Sequence, residues 1–185
     1  MKRKLISALL LLALLCSTLL VACNKEDGSS AGSVGLEYKA SDDGESCTVT
    51  GIGTCTDTEI KIPETIDGLK VVAIGGAAFS KNDKLTSVII PFGVKTITAN
   101  AFLDCPNLSY VSLPATLEKI GPAAFRGCDL LKTVYYEGEP SDWRGVNLGE
   151  QNEAIESASM YYFSEYSPTS SGSYWHYVDG VPTKW

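Results

Sequence analysis

Histidine is nearly absent. The 185-residue chain has one, His176, which excludes zinc-hydrolase ligand sets built on two or three histidines. Positive charge is also scarce: 15 Lys+Arg stand against 22 Asp+Glu, a formal net charge of −7. That balance argues against a nucleic-acid partner, because phosphate binding relies on clustered Lys and Arg. Six cysteines are too few at this length for a disulfide-dense miniprotein. No P-loop or H-E-x-x-H occurs. His176 sits in an aromatic stretch without triad spacing. Asp42-Asp43-Gly44-Glu45 lacks the alternating ligands and distant Glu of an EF-hand and reads as a solvated turn. The expectation is a chain with no catalytic residues, no metal site and no cofactor.

What is present begins with an address. Lys2, Arg3 and Lys4 precede an aliphatic run from Leu5 to Ala22, the pattern of an export signal, the alternative being an uncleaved transmembrane helix. Leu20-Val21-Ala22-Cys23 resembles a bacterial lipobox, which implies cleavage before Cys23 and lipidation of its thiol. More than one acyl chain on Cys23 would anchor the protein durably in a membrane, with the folded part outside the cytoplasm in the bacterial cell envelope. Loss of residues 1–22 removes Lys2, Arg3 and Lys4 and no acids, taking the charge from −7 to −10. Residues 23–35 are a Gly/Ser-rich tether.

The most specific feature is a repeat. Ile74-Gly-Gly-Ala-Ala-Phe79, Ile97-Thr-Ala-Asn-Ala-Phe102 and Ile120-Gly-Pro-Ala-Ala-Phe125 recur every 23 residues. Leu85, Leu108 and Leu131 keep step, as do Val88, Val111 and Val134, and Pro91 follows Pro63 after a longer, 28-residue interval. Aliphatic columns at this period signal a leucine-rich solenoid whose coils bury their faces on one another. The segment 86–90 alternates with period two and stops at proline, so it reads as a short strand. Cys105 and Cys128 share a column with Asn82 and read as core-packed thiols. The fold class expected is a β-rich α+β solenoid: a short leucine-rich repeat array of 23-residue period with an N-terminal β-hairpin cap and a C-terminal aromatic cap.

These units resemble the BspA-like (Treponema pallidum type) leucine-rich repeat family, whose repeat reads approximately I-x-x-x-A-F-x-x-C-x-x-L-x-x-V-x-I-P. The flanks, from Leu36 to Pro63 and from Val134 to Trp185, are similar to the family's caps. Asn82 and Glu137 depart from the pattern. The resemblance implies surface display and binding roles of varied kinds. The resulting organisation is a signal at 1–22, a tether at 23–35, an N-terminal cap and first strand at 36–73, repeats at 74–137, and a C-terminal cap with a terminal hairpin segment at 138–185.

Solenoid ends need covers. Cys47 to Cys55, with Gly51-Ile52-Gly53 between them, reads as a hairpin. In an exported protein Cys47 and Cys55 are candidates for a disulfide, the alternative being two free small residues. Aromatic residues concentrate from Tyr135 to Trp185; they read as a cap over the last coil, or alternatively as a sugar-stacking platform.

If Val88 and Ile90 point inward, residues 87 and 89 point outward. Translation by the repeat gives one outward column of Glu59, Ser87, Tyr110 and Thr133, and a second of Lys61, Ile89, Ser112 and Tyr135. Repeat proteins commonly use such faces for partners, so these residues form the expected binding face for a protein or glycan in adhesion or recognition. The alternatives are a structural or spacer surface protein without a dedicated ligand, and a carbohydrate-binding accessory using the C-terminal aromatics.

Overall fold

Each repeat contains two short apolar segments separated by turns, and each segment becomes a strand of a different sheet. The computed structural model describes residues 32–169 and 171–185. The signal, Cys23 and most of the tether lie outside the described residues. The strands are β1 Glu37–Ala40, β2 Ser46–Gly51, β3 Glu59–Lys61, β4 Thr65–Ile66, β5 Leu69–Ile74, β6 Ser87–Ile89 and β7 Thr96–Ile97, then β8 Tyr110–Leu113, β9 Lys119–Ile120, β10 Thr133–Tyr136, β11 Asn147–Leu148, β12 Ser159–Phe163, β13 Tyr174–Val178 and β14 Val181–Lys184. Two short helices, α1 Pro140–Trp143 and α2 Glu153–Ser157, flank β11. One sheet runs β1-β2-β5-β7-β9-β11, with β4 paired to β5; the other runs β14-β13-β12-β10-β8-β6-β3.

The register follows the sequence period. Ser87, Val88 and Ile89 pair in parallel with Tyr110, Val111 and Ser112, which pair in turn with Thr133, Val134 and Tyr135. Between the sheets the ladder Phe79–Phe102–Phe125 stacks with centroids 5.1 Å apart at both steps. Val88, Val111 and Val134 and the three ladder rings are buried. Deleting a buried Phe ring costs about 3–5 kcal/mol, so the ladder is a principal source of cohesion along the axis.

Two column positions hold non-glycine residues in the left-handed region: Ala77, Asn100 and Ala123 (φ 57°, 61° and 54°), and Lys81 and Asp104 (φ 60° and 56°), with Gly127 completing the second column. The coil therefore turns one residue before the small Ala78, Ala101 and Ala124. Cys105 Sγ donates to the Phe79 carbonyl and Cys128 Sγ to the Phe102 carbonyl, each at 3.1 Å. Phe79 is the first ring of its ladder, so a thiol at position 82 would have no earlier ring carbonyl to reach. Asn82 instead turns its Oδ1 to the N–H groups of Lys84 and Leu85.

The N-terminal cap differs in detail from expectation. The antiparallel hairpin partner of β2 is β1, before it, while β5, its neighbour after Gly53, pairs with it in parallel. The Asp42–Gly44 segment is the turn between them, where Asp43 accepts the N–H groups of Glu45 and Ser46. Those bonds hold the Asp43 carboxyl below its ordinary range. Cys47 and Cys55 are both free thiols: Cys47 is buried on the β1–β2–β5 sheet while Cys55 lies beyond the strand, half-buried. The longer first interval accommodates the β4–β5 hairpin, turned at Asp67 and Gly68 with φ of 50° and 82°.

A candidate binding face and the hairpin laid across it

Both outward columns form. Strand pairing aligns Glu59, Ser87, Tyr110 and Thr133 in one row and Lys61, Ile89, Ser112 and Tyr135 in the other. Their exposure is not that of an open face, however. Glu59 is exposed, and Lys61, Ile89, Tyr110 and Thr133 are half-buried. Ser87, Ser112 and Tyr135 are buried, at 2%, 0% and 8% exposure. The expectation of an open row therefore fails at Ser87, Ser112 and Tyr135.

The end of the chain supplies the second layer. β13 pairs with β12 only through Tyr162–Tyr174 and Phe163–Trp175. The β13–β14 hairpin then folds back over the sheet. Trp175, fully buried, sets its ring 5.4 Å from that of Tyr135 and donates its indole N–H to the Tyr136 carbonyl at 3.0 Å. Phe163 and Tyr177 flank it at 5.3 and 4.8 Å. Tyr177 reaches further and donates its hydroxyl to Glu137 at 2.7 Å. The tip, Asp179 and Gly180, lines one hollow together with Glu59, Lys61, Ser87 and Ile89. The burial of Tyr135 and Ser112 thus follows from contacts made with residues more than a repeat away in sequence.

Electrostatics agree with this geometry. Burial raises the pKa of Glu137, the neighbouring Glu64 carboxylate raises it further, and the Tyr177 hydrogen bond partly offsets both. Burial and the Glu137 charge likewise push Tyr177 up, and burial raises Tyr135 and Tyr136. Ser112 Oγ is buried without a well-formed hydrogen bond beneath this contact. Glu137, a departure from the repeat pattern, is thereby the acceptor that fixes the hairpin.

An open groove remains between the hairpin tip and the first strands. Two adjoining hollows of about 590 and 320 Å³ share Lys61, Ile89 and Gly180. Phe92, 64% exposed, and Tyr177 stand on the wall of the larger, and Tyr110 on the wall of the smaller. Apolar rings beside a few charged groups suit contact with a partner surface. Among the described residues there is no group of three or more His, Cys, Asp or Glu placed to hold a metal ion. No helix among them is long and apolar enough to cross a membrane.

Sequence reasoning missed the roles of Trp175, Tyr177, Glu137 and Asn152. Asn152, 1% exposed, closes the array. Phe79 and Phe102 donate their backbone N–H to the carbonyls of Ala101 and Ala124 in the next coil. Phe125 donates to Asn152 Oδ1 at 3.0 Å, while Asn152 Nδ2 donates to the Gly121 and Gly149 carbonyls. One amide side chain thus takes the place of the backbone carbonyl that the next coil offers to Phe79 and Phe102.

Residues 53–142 match the family model described as the BspA type leucine rich repeat region, in six copies. Among solved structures, the chain is similar to the T. pallidum leucine-rich repeat protein at 21% identity and a TM-score of 0.54, over 70% of this chain and 69% of that one. It is similar to a leucine-rich repeat protein from Bacteroides ovatus at 26% identity and a TM-score of 0.55, over 70% of this chain and 33% of that one, so it spans about a third of that protein's length. A leucine-rich repeat protein from Bacteroides capillosus aligns at 27% identity and a TM-score of 0.51, over 63% of this chain and 93% of that one. The comparison with curated protein sequences finds no match.

Proposed function

We propose that this chain, which carries a BspA-type leucine-rich repeat array, is a non-catalytic binding protein displayed outside the bacterial cytoplasm on a lipid anchor at Cys23. The array is of a kind associated with surface or protein-interaction roles. The partner, a protein or a glycan, engages the part of the strand face that the hairpin leaves open. The observation that carries this reading is the groove at Lys61, Ile89, Tyr110 and the Asp179-Gly180 tip, which brings half-buried apolar groups beside charged ones. Exposed Phe92 extends its apolar wall.

The test is a glycan and host-protein array probed with the chain and with its Ile89→Asp and Tyr110→Ala variants. A binder lost in both variants at unchanged melting temperature supports the groove. Absence of any binder favours the second reading, a structural or spacer surface protein, which the burial of Ser112 and Tyr135 under the chain's own hairpin favours. A carbohydrate accessory built on the C-terminal aromatics has less to work with, since Trp175 and Tyr136 are buried.

A further inference from the structure

The β13–β14 hairpin is attached as a ligand is attached to a groove. Its covalent link to the array is the segment 164–173, in which Glu165, Tyr166, Ser167 and Thr169 are exposed. Its backbone joins the sheet only at Tyr162–Tyr174 and Phe163–Trp175. The remaining attachment is through side chains: Trp175 between Tyr135 and Phe163 with its indole N–H on the Tyr136 carbonyl, Tyr177 on Glu137, and the Lys184 ammonium 4.2 Å over the Tyr161 ring. The receiving groups lie on β10, on the residue that follows it, on β12, or at Ser164 directly after β12, whose carbonyl accepts the Trp185 indole N–H at 3.0 Å. A face built this way cannot distinguish its own hairpin from that of an identical chain. Exchange of an identical element between copies preserves all these contacts and changes only the connection. The tether favours the internal hairpin in dilute solution by effective concentration, and crowding on a membrane reduces that advantage.

We propose that the face formed by Tyr135, Tyr136, Glu137 and Tyr161 also receives the Tyr174–Trp185 hairpin of a second copy, so that displayed molecules join through reciprocal hairpin exchange. The partner surface is the strand face already described, and the occupant is a β-hairpin bearing Trp and Tyr two residues apart. This inference is independent of the partner proposed for the open groove: that groove begins where the exchanged hairpin ends, and it stays open in the exchanged pair.

The experiment removes the slack that allows internal docking. Deletion of residues 165–172 leaves two residues between β12 and β13, and so short a link cannot cross between parallel strands. The expected result, read by light scattering on a size-exclusion column, is a shift from the mass of one chain to that of two, reversed to one chain when Trp175→Ala is added. A monomeric deletion variant, or a dimer indifferent to Trp175→Ala, would overturn the proposal. Native mass spectrometry of the wild-type chain gives a second readout that does not depend on the variant folding. There, isotope-labelled and unlabelled chains incubated together at high concentration should form mixed dimers slowly, and Trp175→Ala chains should form none. Wild-type chains that stay monomeric under those conditions would sink it.

Discussion

The Trp175 indole lies 5.4 Å from the Tyr135 ring and donates to the carbonyl of the next residue, Tyr136. This relationship decides what the strand face can do. Tyr135 occupies an outward position of β10, yet it is 8% exposed because a hairpin some forty residues later covers it, as the 39-residue separation of the indole bond shows. The strand face is therefore divided: Ser112 and Tyr135 are covered, while Glu59, Lys61, Ile89 and Tyr110 line the hollows that remain open.

Trp175→Ala removes the largest buried side chain that joins the hairpin to the array. A loss of about 3–5 kcal/mol is expected, seen as a fall in Tm of roughly 10 °C. Trp185→Ala should lower it far less, because Trp185 is 47% exposed. Thermal unfolding of the two variants side by side checks this.

Asn152→Ala leaves the buried Phe125 N–H without its acceptor and the Gly121 carbonyl without its donor. An unsatisfied buried group costs about 1–3 kcal/mol. The urea midpoint should fall, and the amide of Phe125 should exchange faster while the amide of Phe79 keeps its protection.

Glu137 has a folded-state pKa raised above its ordinary value by burial first and by Glu64 second. The folded chain therefore holds the proton more tightly than the unfolded chain. The associated stability is fully present below the unfolded value, near 4.5, and is lost as pH rises through the raised folded value. Glu137→Gln should flatten that part of the Tm-against-pH curve between mildly acidic and neutral pH, since an amide oxygen still accepts from Tyr177 and does not titrate.

Cysteine reactivity separates the thiols. Cys55 is half-buried, whereas Cys47, Cys105 and Cys128 are buried, and burial raises the Cys47 pKa. Alkylation of the native protein followed by mass spectrometry should label Cys55 first and the other three only on unfolding. Recovery of a Cys47–Cys55 bridge would contradict the free-thiol arrangement.

Much of the solenoid is legible in the sequence because its determinants are local and periodic. The Phe79–Phe102–Phe125 column and the alternation around Val88, Val111 and Val134 fix the coil, the register and the row of strands. The second row is harder to read: β7 and β9 have two residues each and one inward Ile, too few for alternation to show. The hairpin partner of β2 is misjudged because Gly51 and Gly53 resemble a turn, while Asp43, with its two backbone bonds, makes the real one. The covered part of the face was hidden for a different reason. Alternation says which way Ser112 and Tyr135 point, not whether solvent or a distant segment meets them. A signal existed, since only Glu59 and Lys61 in the two columns carry charge, at the end that remains open. Serine, tyrosine and isoleucine elsewhere in the columns are residues a second layer can bury.

The central claim is that the C-terminal hairpin lies across the strand face, and nuclear Overhauser contacts from the Trp175 indole N–H test it most directly. Strong contacts to the Tyr135 ring and to Phe163, together with slow exchange of that N–H, are the expected result. An indole proton in fast exchange with water and without contacts to Tyr135 would leave the face open along its whole length and contradict the account.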